Sequence, residues 1–211
     1  MTTFLTRCLQ GAAIALLATS CSAGPPPSRP DAVDRAGAQA ARPAPADPAL
    51  AHELVGSTPP PWTATEWLNG PPRTLADLRG RVVLVRWFMG SSCPYCSATA
   101  PSLNALNHDY ESKGLTVVGM YHHKEAEPLK PGEDAGFVKA YGFAFPVALD
   151  TDWKTLKAWW LDGADRDFTS VSFLLDRQSR VRGIHKGGRY APGDPDYEAM
   201  RRGIEVLLAE R

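Results

Sequence analysis

The sequence predicts an α/β domain, with a central mixed β-sheet flanked by helices, over residues 54–211. Three observations carry this expectation. Val82–Phe88 and Leu115–Tyr121 are almost uninterrupted apolar runs of strand length, as expected of strands buried on both faces. Between them, Pro94–Tyr110 places Leu103, Leu106 and Tyr110 at helical spacings of three and four. Downstream, helix-like and strand-like stretches go on alternating, the pattern of a layered α/β domain.

The elements follow in order. The folded part begins near Leu54, and Val55 to Pro61 is an entry loop. Trp62 to Trp67 alternates as a strand does, and Asn69-Gly70 is a turn signal, which together predict an N-terminal β-hairpin extension. Leu75 to Gly80 reads as a short turn of helix closed by glycine, leading into the strand Val82–Phe88. Gly90-Ser91-Ser92 makes a turn before the helix over 94–110, in which Pro101 predicts a kink. After the strand at 115–121, Glu133 to Tyr141 reads as a helix stopped by Gly142. Phe145 to Leu149 is a short strand, placed at an edge by Pro146. These two form a central βα insertion. Thr151 to Leu161 is expected to be helical, with Trp153, Trp159 and Trp160 as core residues that cannot all face one way. Val171 to Asp176 and Arg180 to His185 form a hairpin across Arg177-Gln178-Ser179. Asp196 to Glu210 closes the chain as an amphipathic helix, with Ala199, Ile204, Leu207 and Leu208 turned inward.

The first 53 residues have a different character. Arg7 precedes a short apolar stretch, Leu9 to Ala18, too short to span a bilayer as a permanent helix. Residues 1–20 therefore read as a lipoprotein signal peptide, with Ala18-Thr19-Ser20-Cys21 resembling a lipobox and Cys21 as the lipidated first mature residue. The alternative is an ordinary signal peptide cut near Ala23. Residues 21–53 are rich in proline and alanine and lack aromatics, so they cannot bury enough surface to offset ordering and are expected to be a disordered tether. Either reading puts the domain outside the cytosol: anchored in the cell envelope facing the periplasm, or soluble within it.

Lysine plus arginine and aspartate plus glutamate each number 23, so the formal net charge is zero and nothing points to a nucleic-acid partner. There are four cysteines, Cys8 inside the leader, Cys21 at its end, and Cys93 and Cys96 in the domain. With no second pair, a disulfide framework and a four-cysteine zinc site are both excluded. Cys93-Pro94-Tyr95-Cys96 instead joins a strand to a helix. Two thiols at that spacing interconvert between dithiol and disulfide, and the helix N-terminus favours a thiolate on the first. Cys93 is therefore the attacking thiolate and Cys96, one turn in, the resolving thiol. Pro94 suits the first helical turn, and Tyr95 offers a stacking surface. A buried structural disulfide is the competing reading of the pair.

Gly56 to Pro61, Leu75 to Val85, the Cys93–Cys96 motif and Phe173-Leu174-Leu175-Asp176-Arg177 together resemble the thioredoxin-like redoxin/TlpA group, relatives of the AhpC/TSA proteins. The resemblance covers roughly 54–211. It implies a thioredoxin-like fold and an extracytoplasmic thiol–disulfide oxidoreductase acting on protein cysteines. The disulfide is its only redox group, with no cofactor and no metal. It also implies an electron-donating membrane partner and a monomer. Three positions depart from the family pattern. Ser92 replaces a tryptophan before the first cysteine, Ser170 replaces the usual cis proline, and Arg86 occupies the strand position of a buried carboxylate. A non-proline cis bond costs about 3–4 kcal/mol, so a trans peptide or a rearranged loop is expected at Ser170. Thr169 and Ser170 are candidates for the loop that clamps a substrate backbone, against the reading of a plain strand-entry turn.

His122 and His123 end a strand and, with the two cysteines, could hold a metal, or they are simply strand-end residues; His185 beside Gly187-Gly188 reads as structural. Two other functions compete. A peroxiredoxin-like thiol peroxidase wants a threonine three residues before the reactive cysteine, where Gly90 stands. A copper or zinc carrier would use Cys93, Cys96 and a histidine, but such carriers on this fold space their cysteines more widely.

Overall fold

The computed structural model describes residues 54–163 and 166–210. The signal peptide at 1–20, the lipidation site Cys21 and the tether at 21–53 lie outside the described residues. Among the described residues six strands form one sheet: β1 (Trp67–Leu68), β2 (Val82–Phe88), β3 (Leu115–Tyr121), β4 (Val147–Leu149), β5 (Ser172–Leu175) and β6 (Val181–His185). Their spatial order is β1-β4-β3-β2-β5-β6. The pairs β2–β3 and β3–β4 are parallel, and the other three are antiparallel, so the sheet is mixed.

Every residue of β2 and β3 is buried, as the two apolar runs require. The period of two divides them between two cores. Val82, Leu84 and Phe88 face α1 (Pro94–Tyr110) and α4 (Pro195–Ala209), meeting Leu103, Leu106, Met200 and Ile204. Val83, Val85 and Trp87 face the other side, where Trp159, Trp160, Leu75 and Leu78 cover them. A 3₁₀ turn, Glu111–Lys113, follows α1 and ends at Gly114 with φ +111°, a left-handed cap that glycine adopts without strain. The helix α2 (Glu133–Ala140) and β4 form the central insertion. In α4, Ala199, Ile204 and Leu207 are buried as expected, together with Tyr197 and Met200, while Leu208 is only partly covered. No helix among the described residues is long and apolar enough to cross a membrane.

Three local expectations are corrected. Among the described residues no N-terminal hairpin forms: of the stretch 62–70 just Trp67–Leu68 is a strand, and it pairs with β4. Asn69 does turn the chain, with φ +58°, but Pro71 and Pro72 follow and have no N–H to build a returning strand. The Asn69 amide instead donates to the carbonyls of Phe143 and Phe145, fastening the turn to the approach to β4. With β1 outside it, β4 is not the edge strand, and Pro146 just precedes it and offers its carbonyl to the Gly119 N–H.

The third correction is the helix over 151–161. It starts only at α3 (Lys154–Leu156) and runs on as a π-helical turn, Lys157–Leu161. Trp153 is left-handed, at φ +64°, with its indole N–H donating to the His123 carbonyl at 2.7 Å. The Asp150 carboxylate then accepts the Thr155 and Leu156 amides, which fixes where the helix begins. The wider π turn accommodates Trp159 and Trp160 side by side, both buried. Their indoles donate to the carbonyls of Pro60 and Phe168.

Candidate active site: the Cys93–Cys96 cleft

The parallel strands β2 and β3 both end where the CxxC helix begins, the end of an α/β sheet at which ligands usually bind. After Phe88 the chain turns tightly. The Tyr141 hydroxyl donates to the Gly90 carbonyl at 2.9 Å, and the same carbonyl accepts the Cys93 N–H. A Cβ at Gly90 would stand 2.8 Å from the tip of the Phe137 ring, so a side chain in this turn would have to displace that ring.

Cys93 is the N-cap of α1, in extended conformation, with Pro94 in the first turn. Its sulfur accepts the Cys96 N–H at 3.1 Å. The two sulfurs are bonded, at 2.16 Å, with the Cα atoms 5.3 Å apart. Both cysteines are largely buried, Cys93 at 6% exposure and Cys96 at 3%, while Tyr95 between them is 44% exposed. The Ser97 N–H and hydroxyl both donate to the Cys93 carbonyl, and the Thr99 hydroxyl donates to the Tyr95 carbonyl.

The disulfide opens into a cleft of about 330 Å³. Six residues singled out from the sequence, Ser92, Cys93, Pro94, Tyr95, Thr169 and Ser170, line it. Cys96, the more buried of the two, does not line it. The cleft also includes Met89, Lys124, Asp167 and Phe168, which the sequence reading passed over. The signal for Lys124 was its place just past the carboxyl end of β3, beside β2. Phe168 carried a weaker signal, as a large apolar residue in a polar loop; it is 47% exposed and lies edge-on to Tyr95 at 6.2 Å between ring centroids. Ser92 donates to Glu125 at 2.8 Å. Partial burial pushes the Glu125 carboxyl up, but the Ser92 hydroxyl, the backbone amides of Lys124 and Glu125 and nearby His123 hold it below its ordinary value.

Arg86 lies fully buried on β2. Its guanidinium donates to the Gly188 carbonyl at 2.7 Å and to the Ser172 hydroxyl at 3.3 Å, and lies 5.4 Å from the centre of the Tyr190 ring. Burial brings its pKa down to about 10. The histidines separate. His122 is buried against Trp153, and neither of its ring nitrogens has a partner. His123 contacts the Tyr121 hydroxyl and the Glu127 carbonyl. His185 is bonded to Asp196 at 3.1 Å and packs on Tyr190, consistent with a structural part. Among the described residues, no three histidine, cysteine or acidic side chains converge on a point where a metal ion could sit.

The redoxin family profile matches residues 54–200. The chain belongs to the redoxin family. Protein DipZ of Mycobacterium tuberculosis is 32% identical to this redoxin over 165 residues, which is 77% of the chain but 22% of DipZ. The chain thus spans about a fifth of that relative. The thiol-disulfide oxidoreductase ResA of Bacillus anthracis is 28% identical over 127 residues, covering 60% of this redoxin and 66% of ResA. The candidate peroxiredoxin MT2597 of M. tuberculosis is 35% identical over 120 residues, 54% of the chain and 73% of MT2597. Among solved structures, a candidate thiol:disulfide interchange protein DsbE from Chlorobium tepidum superposes with a TM-score of 0.59 at 26% identity, over 74% of this chain and 98% of that one. The thioredoxin-like superfamily protein SPOA0173 superposes at 0.60 with 24% identity, over 73% and 97%. The fold is thioredoxin-like.

Proposed function

We propose that this redoxin is an extracytoplasmic thiol–disulfide oxidoreductase that exchanges disulfides with protein cysteines through Cys93 and Cys96. The observation that carries this reading is the Cys93–Cys96 disulfide itself, formed at a helix N-terminus and opening into the cleft. With the pair reduced, the Cys93 thiolate attacks one sulfur of a substrate disulfide. A mixed disulfide forms and one substrate thiolate leaves. Cys96, deprotonated, then attacks the Cys93 sulfur. The Cys93–Cys96 bond forms, the second substrate thiolate leaves, and two electrons have passed to the substrate. The same steps run backwards oxidise a substrate dithiol. Tyr95, Thr169 and Ser170 flank the reacting sulfur and receive the substrate chain.

The leader and Cys21 support a lipid-anchored placement in the envelope, with residues 21–53 as a spacer and a membrane protein as electron partner. Labelling cells with a fatty-acid probe tests this: the full chain carries the label in the membrane fraction and Cys21→Ser does not. Label retained by that variant sinks the anchor.

The direction of electron flow is read from the reduction potential of the Cys93–Cys96 pair, measured in glutathione and dithiothreitol buffers. A value near about −270 mV or lower makes the protein a reductant, and one towards about −120 mV makes it a disulfide donor. No reversible dithiol–disulfide transition at all would remove the oxidoreductase reading.

The likeness to MT2597 favours a thiol peroxidase as the second reading. Against it, Gly90 stands three residues before Cys93, and the tip of the Phe137 ring lies where a threonine side chain would begin. Hydrogen peroxide consumed stoichiometrically with Cys93 oxidation, faster than free thiols react, would bring that reading forward.

A further inference from the structure

Arg86 is on the sheet face that also carries Leu84 and Phe88, and that face packs against the disulfide helix. It pairs with no carboxylate among the described residues, and its Nε finds no partner. A buried cation in this state is costly to the fold, so what its remaining donors hold is informative. They hold the loop beside the cleft. Gly188, whose carbonyl Arg86 binds, donates its own N–H to the Ser170 hydroxyl at 3.2 Å. The preceding Gly187 backbone approaches so closely that a Cβ there would be 2.4 Å from the Cβ of Phe168. Tyr190, under the guanidinium, donates its N–H to the Thr99 hydroxyl at 3.3 Å, and that hydroxyl binds the Tyr95 carbonyl at 2.7 Å. The segment 187–190 therefore connects to both sides of the cleft: directly to the Phe168–Ser170 wall and, through Thr99, to the first turn of the CxxC helix.

We propose that Arg86 is a positioning residue for disulfide exchange, setting Ser170 and Phe168 against the disulfide through Gly188 so that the cleft stands formed before substrate arrives. This rests on the exchange reading above. Arg86 touches neither sulfur nor substrate; it acts through the 187–190 segment. Ser170, just ahead of β5, thus has its place fixed by a buried donor on the neighbouring strand β2.

The test is single-turnover oxidation of the reduced full chain by a peptide with one intramolecular disulfide. It yields the half-saturating peptide concentration and the limiting rate separately. Arg86→Lys keeps the charge but loses the fork that reaches Gly188 and Ser172 together. The half-saturating concentration should rise about five- to tenfold, with the limiting rate changed less than about twofold. Gly187→Ala, which pushes on Phe168 and touches no buried charge, should move it the same way. It carries the test alone if Arg86→Lys does not fold. Placed in a Ser170→Ala background, Arg86→Lys should add less than about twofold, because both act through the same contact. A merely structural Arg86 would lower the active fraction without moving half-saturation, and its effect would multiply with that of Ser170→Ala. Either result overturns the proposal. A wild-type protein that does not exchange at all removes the underlying reading instead.

Discussion

The sulfur of Cys93 accepts the backbone N–H of Cys96 at 3.1 Å, so the proposed nucleophile is also the N-cap of its own helix. Cys93 lines the cleft, while Cys96 does not and is 3% exposed. This asymmetry predicts different defects. Cys93→Ser should bring exchange to background. Cys96→Ser should still attack a disulfide peptide but stall as a mixed disulfide, visible by mass spectrometry as a stable adduct on Cys93. An adduct forming on Cys96 in the Cys93→Ser protein would reverse the assignment.

The CxxC motif and its strand–helix junction were legible because a chemically marked spacing and a hydrophobic period coincide there. β2, α1 and β3 have the bounds that periodicity gives them. What stayed hidden was set by contacts distant in sequence. Asn69 looked like a hairpin turn, but its amide is taken by Phe143 and Phe145, more than seventy residues away. The helix over 151–161 lost its first turn because Asp150 chooses which amides it caps, and local composition is silent on that choice. Arg86 was visible only as a departure from the family pattern. Its hold on Gly188, 102 residues downstream, required the fold.

Asp150 offers the sharpest stability test. Its carboxylate is buried and accepts three donors: Trp87 Nε1 at 3.1 Å, the Leu156 N–H at 2.8 Å and the Thr155 N–H at 2.9 Å. Asp150→Ala strands all three, so urea unfolding should show a loss of about 3–5 kcal/mol. Asp150→Asn keeps one oxygen acceptor and should lose less. Equal losses for the two variants would mean that the carboxylate matters through charge rather than through its bonds.

His122 should make stability depend on pH. Burial is the main cause that brings its pKa from 6.5 down to about 4. The unfolded chain therefore binds a proton that the folded chain refuses between those values, so stability is complete above pH 6.5 and falls as pH drops towards 4. Below that the deficit is constant, at about 3 kcal/mol. His185 is shifted down as well, by burial and by Arg86 against the pull of Asp196, and adds a loss of the same sign. His122→Phe replaces a ring whose nitrogens have no partners, so it should be neutral or stabilising at pH 7.5. It should also flatten the acid limb measured by urea titration at pH 4.5. An unchanged acid limb would remove His122 as its source.

The rings of Tyr95 and Phe168 flank the cleft and are the two large apolar groups that the site leaves in solvent. Their edge-on contact at 6.2 Å buries neither, so neither contributes much to folding. An apolar side chain of a substrate, next to its cysteine, could cover both rings when its sulfur reaches Cys93, and aromatic contacts of this kind are worth about 0.5–1.5 kcal/mol each. Tyr95→Ala and Phe168→Ala should therefore leave the urea midpoint nearly unchanged. Each should lower exchange with a peptide carrying an aromatic residue beside its disulfide by about three- to tenfold. A peptide with only glycine and serine beside the disulfide should lose much less. Equal losses on both peptides would mean that the two rings shape the cleft rather than bind what enters it.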